Sequence, residues 1–382
     1  MNIAIFTNNY LPNPYGVTQS IESFRREFEK QGHRVFIFAP HWPGYKDNNP
    51  NIFRYPSIDI KIKIRFPLAI PYSRKMNKIL DKLEVDIIHS QHPNLLGTAA
   101  AKWAKRKNVP LIFTWHTLYD KYVHFAPIIP KKIALSYVVK KAVNYANAAD
   151  FVIIPTESVK KIIENWGVKN KNIEAISSGI DESNFLNPGR ELIRKRYNIS
   201  DNEVLLFSVC RLTKEKNVEF LFEAVVEALK ANDKSKFLVI SEGDLRDELE
   251  ALIRKENLSD RVIFAGIISR DKIKDYFAAG DIFVYASKSE TQGMIITEAM
   301  YMGLPIVAVN ATGICDLVKN NVSGFLVPEN RTQFANAVNK LVQDKNLREQ
   351  LGSVGAKIAR EKYTDKVCAE KMLEIYSSLI KN

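Results

Sequence analysis

Cysteine is scarce in this chain of 382 residues, which contains only Cys210, Cys315 and Cys368. An odd number of widely separated cysteines argues against a disulfide framework or a zinc site and favours a reducing compartment. We expect all three to be ordinary packing residues. No apolar run reaches membrane-spanning length, and the N-terminus lacks the basic and apolar regions of a signal peptide. The sequence therefore predicts a cytoplasmic protein.

Acidic residues are scarce in the first half of the chain. Residues 1–180 hold 26 Lys and Arg against 13 Asp and Glu, hence +13, whereas residues 181–382 hold 29 against 30, hence −1. Residues 60–75 mix basic and bulky apolar side chains, and lysines flank an apolar helical pattern in residues 131–141. This combination favours contact with an anionic membrane surface, where each Lys or Arg contributes about 1 kcal/mol. The alternative for residues 60–75 is an edge strand guarded by charge.

The basic pI of 9.3 raises a second class of partner, nucleic acid. A nucleic-acid-binding protein would show aromatic residues interleaved with a basic stripe in a recognised module, and the sequence shows no such arrangement. We therefore expect no nucleic-acid partner.

Short apolar runs alternate with helical patterns through both halves of the chain. The runs are Ile3–Thr7, Val35–Ala39, Asp86–His89, Leu111–Thr114, Phe151–Pro155 and Ile173–Ile176, then Leu205–Val209, Phe237–Ser241, Val262–Ala265, Ile282–Ala286, Ile306–Val309 and Phe325–Val327. The alternation predicts an α/β protein with two Rossmann-like, doubly wound parallel sheets. We expect the ligand crevice at the C-terminal ends of the strands, between the halves.

The segment that follows Ser289 carries the strongest functional pattern. Residues 291–293 lack an apolar period and predict a loop, whereas Met294–Met302 predicts a short helix that ends at Gly303. Glu290 then precedes the helix, and Glu298 lies on it.

The first turn of this predicted helix forms an anion site. Its free N–H groups, near Gly293, Met294 and Ile295, carry the positive end of the helix dipole, and a carboxylate lies on either side. Phosphates fit the helix end and sugar hydroxyls fit the carboxylates, so a nucleotide sugar is a suitable ligand. A pair of glutamates alone is weak evidence, because such spacings also arise by chance.

The sequence resembles the retaining glycosyltransferases of family 4, which have the two-domain GT-B fold. The resemblance rests on Glu290-x7-Glu298 followed by Ala-Met-x-x-Gly-Leu-Pro-Ile-Val. Further motifs follow the family order: Ser177-Ser178-Gly179-Ile180-Asp181 with Phe185, Val209–Asn217, and Glu242-Gly243-Asp244. Two departures are Tyr15-Gly16-Val17, where the family often has Gly-Gly, and Gln292-Gly293, where it often has Phe-Gly. Gln292-Gly293 and the stretch of residues 114–125 resemble the corresponding segments of bacterial enzymes that glycosylate diacylglycerol or phosphatidylinositol.

The resemblance implies a domain organisation. Residues 1–180 would form an acceptor-binding and membrane-facing domain, and residues 181–364 would form a domain that binds the nucleotide sugar. Residues 365–382 would form a final helix that crosses back to the first domain.

The resemblance also implies a role for each candidate residue. Arg211 and Lys216, which follow a predicted strand, would hold the donor pyrophosphate and neutralise the charge of the departing diphosphate. Glu290 would position the transferred sugar. Gln292, in the loop after Glu290, would contact the donor, and Glu298 would bind the ribose. The alternative for the two cations is a solvated surface.

On the acceptor side, His116 follows the strand Leu111–Thr114. It would bond the transferred sugar or align the acceptor hydroxyl, although a lone histidine is more often structural. Gly16 would let the first loop approach the donor.

Together, these expectations predict one enzymatic function. We predict a retaining hexosyltransferase that uses a nucleotide sugar, UDP-glucose above all, and a lipid acceptor such as diacylglycerol or glycosyl-diacylglycerol. It would associate peripherally with the inner face of the cell membrane. The sequence has no Asp-x-Asp motif, and we expect neither a cofactor nor a metal requirement, because two cations and a helix end can stabilise the leaving group. The main alternative is the same chemistry on a soluble or polymer-linked glycan.

Overall fold

The computed structural model describes residues 1–13, 16–61, 65–118 and 131–380. It divides into two units: Met1–Gly179 with Asp365–Asn382, and Ile180–Thr364. Each unit contains a parallel sheet with helices on both faces.

The first unit is built on seven parallel strands. They are β1 (Asn2–Phe6), β2 (Arg34–Pro40), β3 (Ile52–Tyr55), β6 (Ile87–Ser90), β7 (Leu111–Thr114), β8 (Phe151–Ile154) and β9 (Ile173–Ala175). The sheet order is β3-β2-β1-β6-β7-β8-β9. Because side chains alternate along a strand, Ile3 and Ile5 of β1 pack in the core on one face of the sheet and Ala4 and Phe6 in the core on the other.

Helices cover both faces of this sheet. They are α1 (Gly16–Lys30), α2 (Arg74–Lys82), α3 (Leu96–Lys107), α4 (Lys131–Ala148), α5 (Glu157–Asn165) and the terminal α14 (Asp365–Ile380). α14 packs against α1, where the ring centroids of Tyr376 and Phe28 are 5.6 Å apart.

A separate two-stranded antiparallel sheet lies in the first unit. β4 (Ser57–Lys61) pairs with β5 (Arg65–Ala69), so that Ile58 faces Leu68. Residues 62–64 of the predicted membrane segment lie outside the described residues, as do residues 119–125 of the acceptor-side stretch.

The second unit contains six parallel strands. They are β10 (Val204–Val209), β11 (Ser235–Ile240), β12 (Val262–Gly266), β13 (Ile282–Tyr285), β14 (Ile306–Val309) and β15 (Gly324–Val327), in the order β12-β11-β10-β13-β14-β15. The helices are α6 (Arg190–Arg196), α7 (Val218–Ala231), α8 (Arg246–Lys255), α9 (Ile273–Ala279), α10 (Met294–Tyr301), α11 (Ile314–Leu317), α12 (Arg331–Gln343) and α13 (Lys345–Lys362). The strand order reverses between β10 and β13, which is where ligands bind in open parallel sheets.

Two sequence expectations meet the structure here. The predicted strands, and the helix predicted for Met294–Met302, appear within two residues of their expected bounds. The expectation for the cysteines is correct for Cys210 and Cys368, which are buried, and wrong for Cys315, which is exposed on the short α11. Among the helices that the structure describes, none has both the length and the apolar character that crossing a bilayer requires.

Candidate functional site

Arg211, Lys216 and Glu290 come together where the strand order of the second sheet reverses. Arg211 and Lys216 follow β10, and Glu290 follows the neighbouring β13. The Nζ of Lys216 donates a hydrogen bond of 2.6 Å to Oε1 of Glu290, and the two side chains are 13% and 15% exposed. Three of the predicted catalytic residues therefore lie together at the carboxyl ends of β10 and β13.

Glu290 is held as an ionised carboxylate. Burial alone would raise its pKa, but the charge of Lys216 and hydrogen bonds from Lys216, Tyr285 and Ser287 outweigh it and hold the pKa below its usual value. Tyr285, the last residue of β13, donates to Oε1 at 2.8 Å. No sequence motif singled out Tyr285, although a tyrosine at the end of a buried strand is a signal for a polar contact.

Arg211 is oriented by Glu215. The guanidinium donates to Oε1 of Glu215, which also lies 3.8 Å from the Nζ of Lys216. The Arg211 side chain is 48% exposed, whereas Glu215 is nearly buried. A carboxylate thus links the two cations, and Arg211 presents an exposed guanidinium to which an anion can bind.

The helix α10 begins where the sequence predicts. Its N-cap is Gly293, whose φ of 85° lies in the left-handed region that favours glycine. Glycine has no side chain with which to cap the N–H groups of Met294 and Ile295, so the helix end can accept an anion. Gln292, just before the cap, is buried.

Glu298 lies one turn further along α10, and it is paired. Both of its carboxylate oxygens accept from the guanidinium of Arg270, with Oε2 at 3.0 Å from Nη1. Glu298 is only 3% exposed, whereas the Arg270 side chain is 42% exposed. Arg270 follows β12, and no sequence pattern singled it out.

The backbone of the adjacent loops is closely packed. A Cβ on Gly243 would lie 2.3 Å from the carbonyl oxygen of Leu212, so the loop after β11 can approach the loop after β10 only with glycine. The N–H of Leu212 donates to the carbonyl of Glu242 at 3.1 Å. This contact gives the Glu242-Gly243-Asp244 motif a structural reason.

In the first unit, His116 lies beyond the end of β7. Its Nε2 donates to Oε1 of the buried Gln91, which follows the neighbouring β6, at 2.6 Å. Burial, together with the nearby His92 and His89, lowers the pKa of His116 to about 3. His116 is therefore a neutral imidazole at physiological pH.

A second buried histidine connects the strands to the terminal helix. His89 Nδ1 lies 2.5 Å from the hydroxyl of Tyr376 on α14, and Nε2 lies 2.6 Å from Oγ1 of Thr114. Burial lowers the pKa of His89 to about 3. His89 and His116 both line a small internal cavity of about 20 Å³, the space of one water molecule.

The first loop of this unit ends at Gly16, the first residue of α1. Residues 14 and 15, which include Tyr15 of the predicted motif, lie outside the described residues. The guanidinium of Arg54 donates to the carbonyl of Leu11 at 2.9 Å and to Asp47, and it thereby holds the segment that leads to Gly16. Arg54 was not foreseen.

No cluster of three or more His, Cys, Asp or Glu side chains that could hold a metal ion occurs in the described ranges. The absence of a metal requirement stays a prediction.

Comparison with known proteins decides the family. The model described as Glycosyltransferase Family 4 matches residues 14–184, and that described as Glycosyl transferases group 1 matches residues 189–358. An alpha-monoglucosyldiacylglycerol synthase of Streptococcus pneumoniae is 31% identical over 337 residues, which are 85% of this chain and 75% of that protein. The chain belongs to the family 4 glycosyltransferases. A second alpha-monoglucosyldiacylglycerol synthase, from Acholeplasma laidlawii, is 28% identical over 100% of this chain and 98% of its own length.

Solved structures establish the fold of this glycosyltransferase. Anabaena HepE, in complex with UDP and glucose, matches with a TM-score of 0.78 at 20% identity, over 99% of this chain and 100% of HepE. Sucrose-phosphate synthase of Thermosynechococcus elongatus matches with a TM-score of 0.79 at 20% identity, over 100% of this chain and 99% of that protein. The predicted GT-B fold with two Rossmann-like parallel-sheet domains is confirmed.

Proposed function

We propose that this glycosyltransferase transfers glucose from UDP-glucose to diacylglycerol or a glycosyl-diacylglycerol, with retention of the anomeric configuration and without a metal ion. The second unit would bind the donor, and the first unit would bind the acceptor and the membrane surface. The observation that carries the proposal is the cluster of Arg211, Lys216 and Glu290 at the strand-order reversal, beside the uncapped N-terminus of α10.

The donor assignment rests on the charges of this cluster. Arg211, Lys216 and the end of α10 would bind the diphosphate and stabilise the charge that it gains as it leaves. The ionised Glu290 would accept hydrogen bonds from sugar hydroxyls, and Glu298 would bond the ribose from within α10. The leaving diphosphate would help to deprotonate the acceptor hydroxyl on the same face, so a separate general base is not needed.

The acceptor assignment rests on two supports. The relatives from Streptococcus and Acholeplasma are alpha-monoglucosyldiacylglycerol synthases by name. Within the described part of the first unit, the exposed large apolar side chains are Ile58, Ile70, Tyr72, Tyr137 and Ile380. All but Ile380 lie in or beside residues 60–75 and 131–141, the segments for which the sequence predicts membrane contact.

Charge accompanies these apolar side chains. Ile70 is 40% exposed and Tyr72 is 58% exposed, immediately before α2. Arg74 and Lys75 begin α2, and both are exposed. Apolar groups that enter the interface beside cations that face anionic head groups would hold the first unit on the bilayer. The side chains of residues 60–66 and 131–134 lie outside this description.

A transfer assay tests the proposed reaction. The purified protein is incubated with a panel of nucleotide sugars and with diacylglycerol in anionic vesicles, and the product is analysed by mass spectrometry and by NMR of the anomeric proton. We expect glucosylated lipid in the α configuration, with UDP-glucose as the best donor. Transfer to soluble glycans but not to lipid would replace the acceptor assignment, and a β product would contradict retention.

A sedimentation assay tests the membrane surface. Binding should rise with the anionic fraction of the vesicles and fall with salt, because exposed charges are screened over about 10 Å at 0.1 M ionic strength. The charge-reversal variant Arg74→Glu/Lys75→Glu should lose most binding. The matched control is Lys169→Glu/Lys171→Glu, an equal charge change at exposed positions of the same unit outside the two segments. Equal losses in both variants would reduce the effect to net charge and remove the assigned surface.

A further inference from the structure

Tyr285 occupies an unusual place in the cluster around Glu290. It is 3% exposed, and its ring lies against Phe283 of the same strand, with 5.9 Å between the ring centroids. Its hydroxyl donates to the same carboxylate oxygen, Oε1, that accepts from Lys216. One oxygen of Glu290 therefore has two donors of different chemistry, an ammonium on a flexible four-carbon stem and a phenol whose ring is packed in the core.

The two donors differ in what else they can bind. Under the proposed function, Lys216 also faces the diphosphate, so its bond to Glu290 weakens as negative charge builds on the leaving group. Tyr285 has no such second task, because its ring is packed in the core of the second unit. Burial and the adjacent carboxylate raise the pKa of Tyr285 well above its usual value, so it keeps its proton and donates throughout.

We propose that Tyr285 is a positioning residue for Glu290: its hydroxyl keeps the carboxylate in place and ionised while Lys216 turns to the diphosphate. This inference rests on the proposed function for its consequence in the reaction. The hydrogen bond itself is a property of the free protein and can be tested without any donor.

The variant Tyr285→Phe removes only the hydroxyl. The matched control is Tyr276→Phe on α9, which also removes a buried hydroxyl from the second unit but one whose neighbour is Tyr197, at 3.4 Å. A hydrogen bond to a charged group corresponds to roughly a tenfold effect or more. We therefore expect kcat to fall about tenfold in Tyr285→Phe, with the Kd for UDP and the melting temperature close to those of Tyr276→Phe.

The decisive measurement is the titration of Glu290 by carbon NMR of its side-chain carboxyl. Losing a donor to the charged form raises the pKa of a carboxyl, so the midpoint in Tyr285→Phe should move to higher pH by about one pH unit. Tyr276→Phe should titrate as the wild type does. An unchanged midpoint in Tyr285→Phe overturns the inference, and so does a kcat equal to that of Tyr276→Phe in an active enzyme. If the wild-type protein transfers no sugar, the proposed function fails, and the NMR titration still decides whether Tyr285 holds Glu290.

Discussion

The candidate residues lie at the carboxyl ends of two pairs of strands, and burial affects the pKa values of the two groups in opposite ways. After β10 and β13, Lys216 and Tyr285 surround Glu290, and the pKa of this carboxyl stays below its usual value despite burial. After β6 and β7, burial prevails, and the pKa values of His89, His92 and His116 fall to between about 3 and about 4. The second unit therefore presents fixed charges, which suit a diphosphate, and the first presents neutral hydrogen-bonding groups, which suit a hydroxyl.

Replacing Glu290 should have the largest effect on the charged group of residues at the ends of β10 and β13. Glu290→Gln keeps the size of the side chain and removes its charge, so we expect kcat to fall about 100-fold or more. Lys216 loses its charged partner, so the melting temperature should also fall, and the kinetics are measured well below it. The control is Glu256→Gln, which removes the carboxylate partner of Lys230 on the surface of the same unit. Near-normal turnover in Glu290→Gln would contradict the assignment of this group of residues to the reaction.

Replacing Arg211 tests the more exposed of the two cations that follow β10. Arg211→Ala should lower kcat by about 100-fold, because one charge no longer stabilises the departing diphosphate. Arg246→Ala is a suitable control, since Arg246 likewise pairs with glutamates through i,i+4 contacts but on α8. Steady-state kinetics that gave equal, small effects in both variants would assign Arg211 to the solvated surface.

Glu298 should affect donor binding more than chemistry. The ribose is far from the breaking bond, so Glu298→Ala should raise the KM for the donor about tenfold while kcat changes little. The variant leaves Arg270 without its carboxylate partner, and a thermal melt must accompany the kinetics. A large loss of kcat at unchanged KM would contradict the ribose role.

The neutral histidines predict a difference in pH stability between the units. Their folded pKa values lie below the unfolded value of about 6.5, so their contribution to the free energy of unfolding is complete above pH 6.5. It is lost as the pH falls to the folded values of about 4 and about 3, by up to about 1.4 kcal/mol per pH unit for each histidine. Glu290 acts only at lower pH, because its contribution is present above its unfolded pKa of about 4.3 and is lost below it.

Hydrogen exchange measured between pH 7 and pH 5 resolves this difference. Peptides of the first sheet should lose protection before those of the second, and His89→Gln should reduce the effect more than the control His41→Gln, since His41 is exposed. Simultaneous loss in both units in all variants would contradict the assignment.

The smallest expected effect is that of chelation. With a detergent-solubilised acceptor, excess EDTA should leave most activity, because under the proposed function Arg211, Lys216 and the end of α10 would neutralise the leaving group without a metal. Complete loss that magnesium restores would show that these groups are insufficient.

The sequence predicted the main-chain features of the candidate site better than its side-chain contacts. The strand positions and the placement of Glu290 before α10 and Glu298 on it follow from apolar periods and from Gly293 and Gly303, which are local signals. The contacts of Arg270 with Glu298 and of Gln91 with His116 are set by tertiary packing, because the partners are 28 and 25 residues apart. His89 and Tyr376, for example, are 287 residues apart. Two signals were available, since His89 stands inside a buried apolar run and Tyr285 ends another.

Secondary structure was harder to predict where charge and apolar residues are mixed. β3 is four residues long and contains Arg54, so it shows no apolar run. For residues 60–75 the sequence favoured a membrane segment over an edge strand guarded by charge. The pairing of β4 with β5 shows that strands form on both sides of residues 62–64, which is compatible with either interpretation.

The return of α14 to the first unit has a consequence for synthesis on the ribosome. Residues 1–179 leave the ribosome first, but the core that they share with Cys368, Met372 and Tyr376 is complete only after the second unit has been translated. At 5–20 residues per second, the intervening residues take on the order of 10 s or more. During that interval α1 lacks its covering helix, so the nascent first unit exposes apolar surface to which chaperones can bind.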